Sequence, residues 1–324
     1  MFTLENLQQI IKDNIEELNF NQSPKELYDP INYILDLGGK RLRPALCLLA
    51  CDMFDGEIQQ ALNPALGIEI FHNFTLLHDD IMDEAPIRRG KQTVHLKWNP
   101  NVAILSGDTM MALAYEYVMK APKEVLQEVF SVFNQTAIEV CEGQQYDMNF
   151  ETDKKVSISD YLNMIRLKTA VLLAGSLKIG ALIGKANKKD AENLYLFGEN
   201  LGIAFQLKDD LLDAYSDEEK FGKKTGGDIV TNKKTFLYLK AFELADGKTK
   251  ESLADYFNGD FADPVQKIIG VKEIFQKIEV DIATNKEIDN YYQRALSYLD
   301  KVNTTQDKKS ELLKFADQLK QRDY

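Results

Sequence analysis

Two short acidic runs constrain this chain more than any other feature. Asp79-Asp80-Ile81-Met82-Asp83 and Asp209-Asp210-Leu211-Leu212-Asp213 share one spacing, and each closes an apolar stretch just before a polar, basic segment. In a helix the first and last aspartate of each run are i and i+4, so both project from one face. Like charges gathered there are unfavourable without a cation between them, and hard divalent ions take carboxylate oxygens. Arg88 and Arg89 follow the first run. Metal beside arginine points to a phosphate ligand. Charges near core helices are costly unless paired or bound to metal. A fold that accepts both runs therefore packs their apolar helices while leaving the acidic ends open. If the two helices lie side by side, the clusters face each other across the mouth of a cavity.

Apolar residues recur at helical spacing along nearly the whole chain. Leu4, Leu7, Ile11, Ile15 and Leu18 mark a first amphipathic helix. A second is expected from about Pro24 to Leu37, stopped by Gly38-Gly39. Pro44 can open a third, and Asn63-Pro64 reads as the cap and first residue of a long helix reaching Asp83. That helix is apolar on most faces and belongs in the middle of a bundle. Residues 84–101 read as a polar loop. Val102–Lys120 is rich in small residues that permit close helix approach. Further helices are expected at about 123–149, from Ser157 or Ser159 to Gly184, and from Lys189 to Tyr215. The segment 216–234 reads as a loop, and shorter charged helices follow, broken near Gly247, Gly259 and Pro264. No hairpin signature or alternating strand run stands out, and no internal repeat is evident. The expectation is an all-α, single-domain helical bundle over residues 1–324 around a central cavity.

With 39 Lys+Arg against 51 Asp+Glu, the formal charge is −12. An acidic surface argues against nucleic acid and anionic membrane as main partners but not against a small anionic substrate in a locally basic site. Cys47, Cys51 and Cys141 complete no zinc pattern and read as buried free thiols in a reducing compartment. The first residues lack the segments of a signal peptide. No run approaches the ~20 apolar residues of a membrane span. The expected setting is cytoplasmic.

Several ordered motifs give the chain a specific resemblance. Gly38-Gly39-Lys40-Arg41-Leu42-Arg43-Pro44, the first acidic run with its trailing Arg88-Arg89-Gly90, Gly143-Gln144, Lys168-Thr169, the second acidic run, Phe221-Gly222-Lys223 and Asn232-Lys233 follow one another at family spacing. Together they resemble the polyprenyl synthetase family of trans-type isoprenyl diphosphate synthases, from about Lys25 to Leu239. The resemblance implies the isoprenoid synthase fold and a homodimer. It also implies head-to-tail condensation of isopentenyl diphosphate with an allylic diphosphate (dimethylallyl, geranyl or farnesyl). In that chemistry the allylic C–O bond ionises, the double bond attacks the cation and a proton is lost. Diphosphate leaves only when its growing charge is neutralised by metal and cationic side chains.

The resemblance also implies residue roles. Asp79, Asp83 and Asp209 would ligate Mg²⁺ directly, with three ions when substrate is bound. Asp80, Asp210 and Asp213 would ligate or hold metal-bound water. Arg88, Lys168, Lys223 and Lys233 would grip the allylic diphosphate, while Thr169 and Gln206 line the reacting centre. The departing diphosphate is the base. Isopentenyl diphosphate must not ionise, so its site uses cations without metal: Lys40, Arg43, His72 and Arg89. His72 lies seven residues before Asp79, on the same helix face. Arg41 reads as a solvated basic turn or as a group acting behind the site, and His78 and His95 as structural. Gln144 and Asp147 either support the metal region or only bridge helices.

Product length is expected to depend on what floors the cavity below Asp79. Phe74 lies five residues earlier with Thr75 beside it, and Phe71 is roughly another turn down. An aromatic there, with no insertion in the first run, resembles short-chain enzymes. Thr75 is not aromatic, unlike the paired aromatics of the family's farnesyl type, so the resemblance implies geranylgeranyl diphosphate, with farnesyl diphosphate the alternative. Three rivals are a terpene cyclase, a non-catalytic partner subunit of a heteromeric synthase and a helical metal-binding protein. Asp213 and the intact Gly38–Pro44 segment speak against the first, and the retention of every motif against the second.

Overall fold

The computed structural model describes residues 2–153, 155–216, 225–258 and 263–321. Most of these residues are helical, as the 3.6-residue periodicity leads one to expect. The chain divides into two compact units, Met1–Gln135 with Gly175–Tyr195 and Asn303–Glu311, and Thr136–Ala174 with Leu196–Val302 and Leu312–Tyr324.

The first unit is built on α1 (Leu4–Glu17), α2 (Lys25–Asp36), α3 (Leu42–Met53), α4 (Ile58–Met82), α5 (Val94–Lys97) and α6 (Pro100–Val118). α4 is its axis and packs against α3 and α6. Residues Ala65 to Phe71 of α4 are all buried. A Cβ at Gly67 would lie 2.8 Å from the carbonyl oxygen of Ala114, which is the close approach that the small residues of α6 permit. α4 begins at Ile58, six residues ahead of the expected first residue Pro64, which lies inside it. The proline removes only the hydrogen bond to Gln60, an exposed residue in the first turn whose carbonyl water can satisfy. Likewise α3 starts at Leu42, with Arg41 as its N-cap, and Pro44 falls within its first turn.

Residues 84–101 are not a plain loop. Ile87–Arg88 and Lys91–Gln92 pair as β1 and β2 of an antiparallel hairpin. Its turn residues Arg89 and Gly90 both have positive φ, 52° and 75°. This is the left-handed pair that matches the twist of a two-residue hairpin. The strands are too short to leave an alternation in the sequence. α5 and the Pro100 start of α6 follow.

α7 (Leu126–Thr152), α9 (Val171–Ile183), α10 (Lys188–Tyr215) and α16 (Gln306–Lys320) each run from one unit into the other. The second unit also holds α8 (Ile158–Ile165), α11 (Gly227–Val230), α12 (Phe236–Leu244), α13 (Gly247–Asn258), α14 (Pro264–Lys277) and α15 (Val280–Asp300). Ser157 caps α8 in a reciprocal capping box with Asp160. Between α8 and α9 the helix widens to a π-helical segment, Arg166–Ala170. The core of this unit joins Tyr161, Ile165, Leu207, Leu211, Phe236, Leu253 and Phe275. Cys47 and Cys51 are buried free thiols, but Cys141 is exposed, contrary to the expectation for all three. Among the described residues no helix is long and apolar enough to cross a membrane.

Candidate active site

The first acidic run ends α4, and its residues divide by burial. Asp80 is 3% exposed. Arg88, on β1, donates to it twice through Nε, at 2.9 and 3.2 Å to its two oxygens, and through Nη2 at 2.5 Å. This fork-to-fork pair satisfies Asp80 and anchors the hairpin to the end of α4. Asp79 is half-buried and 3.9 Å from Arg88 Nη2, and Asp83 is exposed. Burial opposes the Arg88 charge, but its hydrogen bonds and the neighbouring Asp80, Asp79 and Asp83 more than compensate, holding its pKa above the ordinary value.

The second run repeats this division on α10. Asp210 is 6% exposed. Its Oδ2 accepts from the Tyr161 hydroxyl and, at 3.4 Å, from the Phe236 amide; its Oδ1 accepts from Gln206 Nε2 at 3.3 Å. Burial and the nearby Asp228 push its carboxyl up to about 7, against the lowering influence of Tyr161, Lys233 and Gln206. Asp209 and Asp213 are half-buried, and Asp213 Oδ2 accepts the Asp228 amide at 3.0 Å. In both runs, then, the second aspartate is spent on protein donors, while the i and i+4 carboxylates lie nearer solvent.

Oxygen-only donors of this kind suit a hard cation. Among the described residues, no three His, Cys, Asp or Glu side chains converge into a ready-made ligand set. Mg²⁺ is a hard cation that takes few protein carboxylates and completes its shell with water and substrate phosphate.

The π-helical segment carries Lys168 and Thr169. One extra residue per turn re-aims side chains within an otherwise regular helix. Lys168 Nζ pairs with Asp147 at 2.6 Å. A Cβ at Gly143 would lie 2.2 Å from the Lys168 amide nitrogen, so only glycine lets α7 approach this segment. Burial would raise the Asp147 carboxyl, but Lys233 and Lys168 outweigh it and hold the pKa below the usual carboxylate range. Thr169 Oγ1 donates to Gln206 Oε1 at 3.3 Å, extending the chain from Gln206 to Asp210 and Tyr161. Lys233 is exposed, while Lys234 Nζ donates to the carbonyls of Phe150 and Glu151 at the end of α7. Lys223 lies outside the described residues.

The basic group of the first unit gathers around His72. Arg43 Nη1 lies 3.2 Å from His72 Nε2. Arg89 Nη1 donates to the Gly38 carbonyl, and a Cβ at Gly39 would lie 2.9 Å from the Arg89 guanidinium. Lys40 is exposed. Burial, then Arg43, Arg89, Arg41 and Arg88, push His72 well below its ordinary pKa, so the imidazole is neutral. Arg41 is buried rather than a solvated turn, and it pairs with Glu69 at 2.5 Å.

Phe74 is half-buried and begins an aromatic stack. Its ring centroid is 5.6 Å from Phe71, which is 5.5 Å from Phe133, itself 5.1 Å from Tyr115. Phe74 also meets His78 edge-on at 4.7 Å, and Thr75 Oγ1 bonds back to the His72 carbonyl. His78 Nε2 lies 3.3 Å from the Ile104 carbonyl.

Sequence reasoning missed Glu69, Tyr161, Asp228, Phe133 and Tyr115. Only Glu69 carried a local signal, as a lone carboxylate in the apolar run Leu66 to Phe71.

The polyprenyl synthetase family profile matches residues 24–275. Geranylgeranyl diphosphate synthase of Methanosarcina mazei is 39% identical over 312 residues, covering 96% of this chain and 94% of that one. The corresponding synthase of Sulfolobus acidocaldarius is 37% identical over 309 residues, covering 94% and 93%. A crystal structure of a geranylgeranyl pyrophosphate synthase superposes with a TM-score of 0.94 at 44% identity over the full length of both chains. The chain belongs to the polyprenyl synthetase family. Its activity is that of a prenyltransferase.

Proposed function

We propose that this chain condenses isopentenyl diphosphate with an allylic diphosphate and delivers geranylgeranyl diphosphate. The observation that carries the reading is the shared division of labour in the two acidic runs. Each inner aspartate is locked into protein hydrogen bonds, and each outer pair is left nearer solvent. Asp79, Asp83, Asp209 and Asp213 are the ligands we assign to Mg²⁺, three ions accompanying the allylic diphosphate. Bound there, the metal would offset charge on the leaving diphosphate.

The chain's own residues supply the rest. Arg88, Lys168 and Lys233 bind the allylic diphosphate, with Lys223 assigned by its motif alone. Arg88 and Lys168 are already oriented by Asp80 and Asp147, which reduces the reorganisation needed as charge develops. Thr169 and Gln206 present oxygens to the allylic cation. Lys40, Arg43, neutral His72 and Arg89 hold isopentenyl diphosphate through side-chain cations and donors without metal, so its C–O bond stays intact. The departing diphosphate takes the proton. Phe74, backed by Phe71, limits chain growth, with Thr75 bonded back into the helix beside it. The geranylgeranyl synthases among the relatives support that length over farnesyl diphosphate. We further assign one catalytic domain over residues 1–324, a homodimer and a cytoplasmic setting.

Asp79→Ala and Asp209→Ala test the reading. Each should abolish Mg²⁺-dependent condensation while leaving the helical circular-dichroism signal. Near-wild-type turnover in either variant overturns it.

A further inference from the structure

Glu69 is a buried charge that the diphosphate chemistry does not use. It lies in the middle of α4, is 2% exposed, and is flanked by the buried Ile68 and Ile70. A carboxylate there is costly unless paired and hydrogen-bonded. Both conditions are met: Arg41 Nη1 lies 2.5 Å from Glu69 Oε1, and Asn73 Nδ2 donates to the same oxygen at 3.0 Å. The other arm of Arg41 donates to the Leu35 carbonyl in the last turn of α2.

Arg41 also adopts a left-handed backbone, φ 49° and ψ 37°, at the head of α3. Residues other than glycine avoid that region unless their surroundings hold them in it. Here one guanidinium ties the end of α2 and the middle of α4 to the start of α3. Lys40 lies one residue before this fixed point and Arg43 two after it. Releasing Arg41 from the left-handed region would re-aim the peptide on both sides. Glu69 also acts electrostatically on Arg43 and Arg89, both crowded about His72. It therefore offsets the repulsion of the guanidinium cluster before any anion arrives.

We propose that Glu69 is a positioning residue for the substrate whose diphosphate is retained. Through Arg41 it fixes the Gly38–Arg43 segment and so the placement of Lys40 and Arg43. This rests on the assignment of Lys40, Arg43, His72 and Arg89 to isopentenyl diphosphate. A role in bulk stability alone would affect both substrates alike.

The test is steady-state kinetics with each substrate varied in turn, on wild type, Glu69→Gln, Arg41→Lys and the double variant. Glu69→Gln removes the charge at constant shape. Arg41→Lys keeps the charge but cannot span Glu69 and Leu35 together. Each should raise KM for isopentenyl diphosphate about 10- to 100-fold, the range found when a residue that orients a metal ligand is lost. The allylic KM and kcat should change by less than about threefold. The double variant should be little worse than the worse single one, because both act through one segment. If Glu69→Gln does not fold by circular dichroism, Arg41→Lys carries the same expectation. Arg43→Ala is the control for the substrate assignment. If it leaves the isopentenyl KM unchanged, the assignment fails. If it raises that KM while the Glu69 and Arg41 variants shift both substrates equally, or neither, the positioning role is overturned.

Discussion

Asp79→Asn and Asp80→Asn differ by one position in sequence and should differ in kind. Asp80 retains 4% of its side-chain exposure and Arg88 27%, with three donor–acceptor contacts of 2.5–3.2 Å between them. Asp80→Asn keeps the shape but turns one oxygen into a donor facing the guanidinium. A hydrogen bond to a charged group contributes about 1.5–3 kcal/mol. Breaking a fully buried pair costs about 3–5 kcal/mol. Arg88 is more than a quarter exposed and partly rehydrates, so the expected loss is about 2 kcal/mol. Asp79 is 3.9 Å from Arg88 and 21% exposed. Asp79→Asn should therefore cost less than about 1 kcal/mol. Function should show the converse. Asp79→Asn should raise the Mg²⁺ concentration for half-maximal activity by about tenfold or more, as loss of a ligand to a sparsely ligated ion implies. Asp80→Asn should lower kcat by loosening Arg88 while leaving that Mg²⁺ requirement near wild type. Urea unfolding in EDTA and Mg²⁺ titrations of activity measure the two effects. Equal stability losses, or a shifted Mg²⁺ requirement in Asp80→Asn alone, would refute the division of roles.

Phe74→Ala should lengthen the product by one or two five-carbon units and then stop, because Phe71 and Phe133 form the next layer; chromatography of dephosphorylated products reads this, and an unchanged distribution counts against the floor. Asp147→Asn should raise the allylic KM about tenfold while sparing the isopentenyl KM, since it removes the partner that orients Lys168; equal shifts in both would place Asp147 in general packing. His72 is held neutral in the folded chain but takes a proton at about 6.5 when unfolded. Stability is thus unaffected above that pH and falls below it, by up to about 1.4 kcal/mol at pH 5.5. His72→Gln should lose less stability than wild type between pH 7.5 and 5.5 in urea titrations, and an identical loss would mean that His72 protonates in place.

The helices and the acidic runs were legible because each leaves a local trace: apolar residues every three or four positions, Gly38-Gly39 after α2, and aspartates at i and i+4. The long-range partners were not. Tyr161 meets Asp210 across 49 positions and Arg41 meets Glu69 across 28, and neither pair has a short-range signature. That is why the protein donor that buries Asp210 left no local trace in the sequence. The Arg89-Gly90 turn was missed because two-residue strands carry no alternation, and the α4 start because Pro64 is tolerated where its missing hydrogen bond falls in the first turn, at the exposed residue Gln60. The sequence reads as one helix from Ser157 or Ser159 to Gly184, and the π-helical turn at Arg166–Ala170 depends on backbone bonding that residue types do not encode.

The most direct measurement incubates the purified chain with Mg²⁺, labelled isopentenyl diphosphate and, in separate reactions, dimethylallyl, geranyl or farnesyl diphosphate. The dephosphorylated products are then sized. Incorporation that depends on Mg²⁺ and ends at the twenty-carbon geranylgeraniol is the expected result. No incorporation with any starter, or products that end at fifteen carbons or run well past twenty, would contradict it.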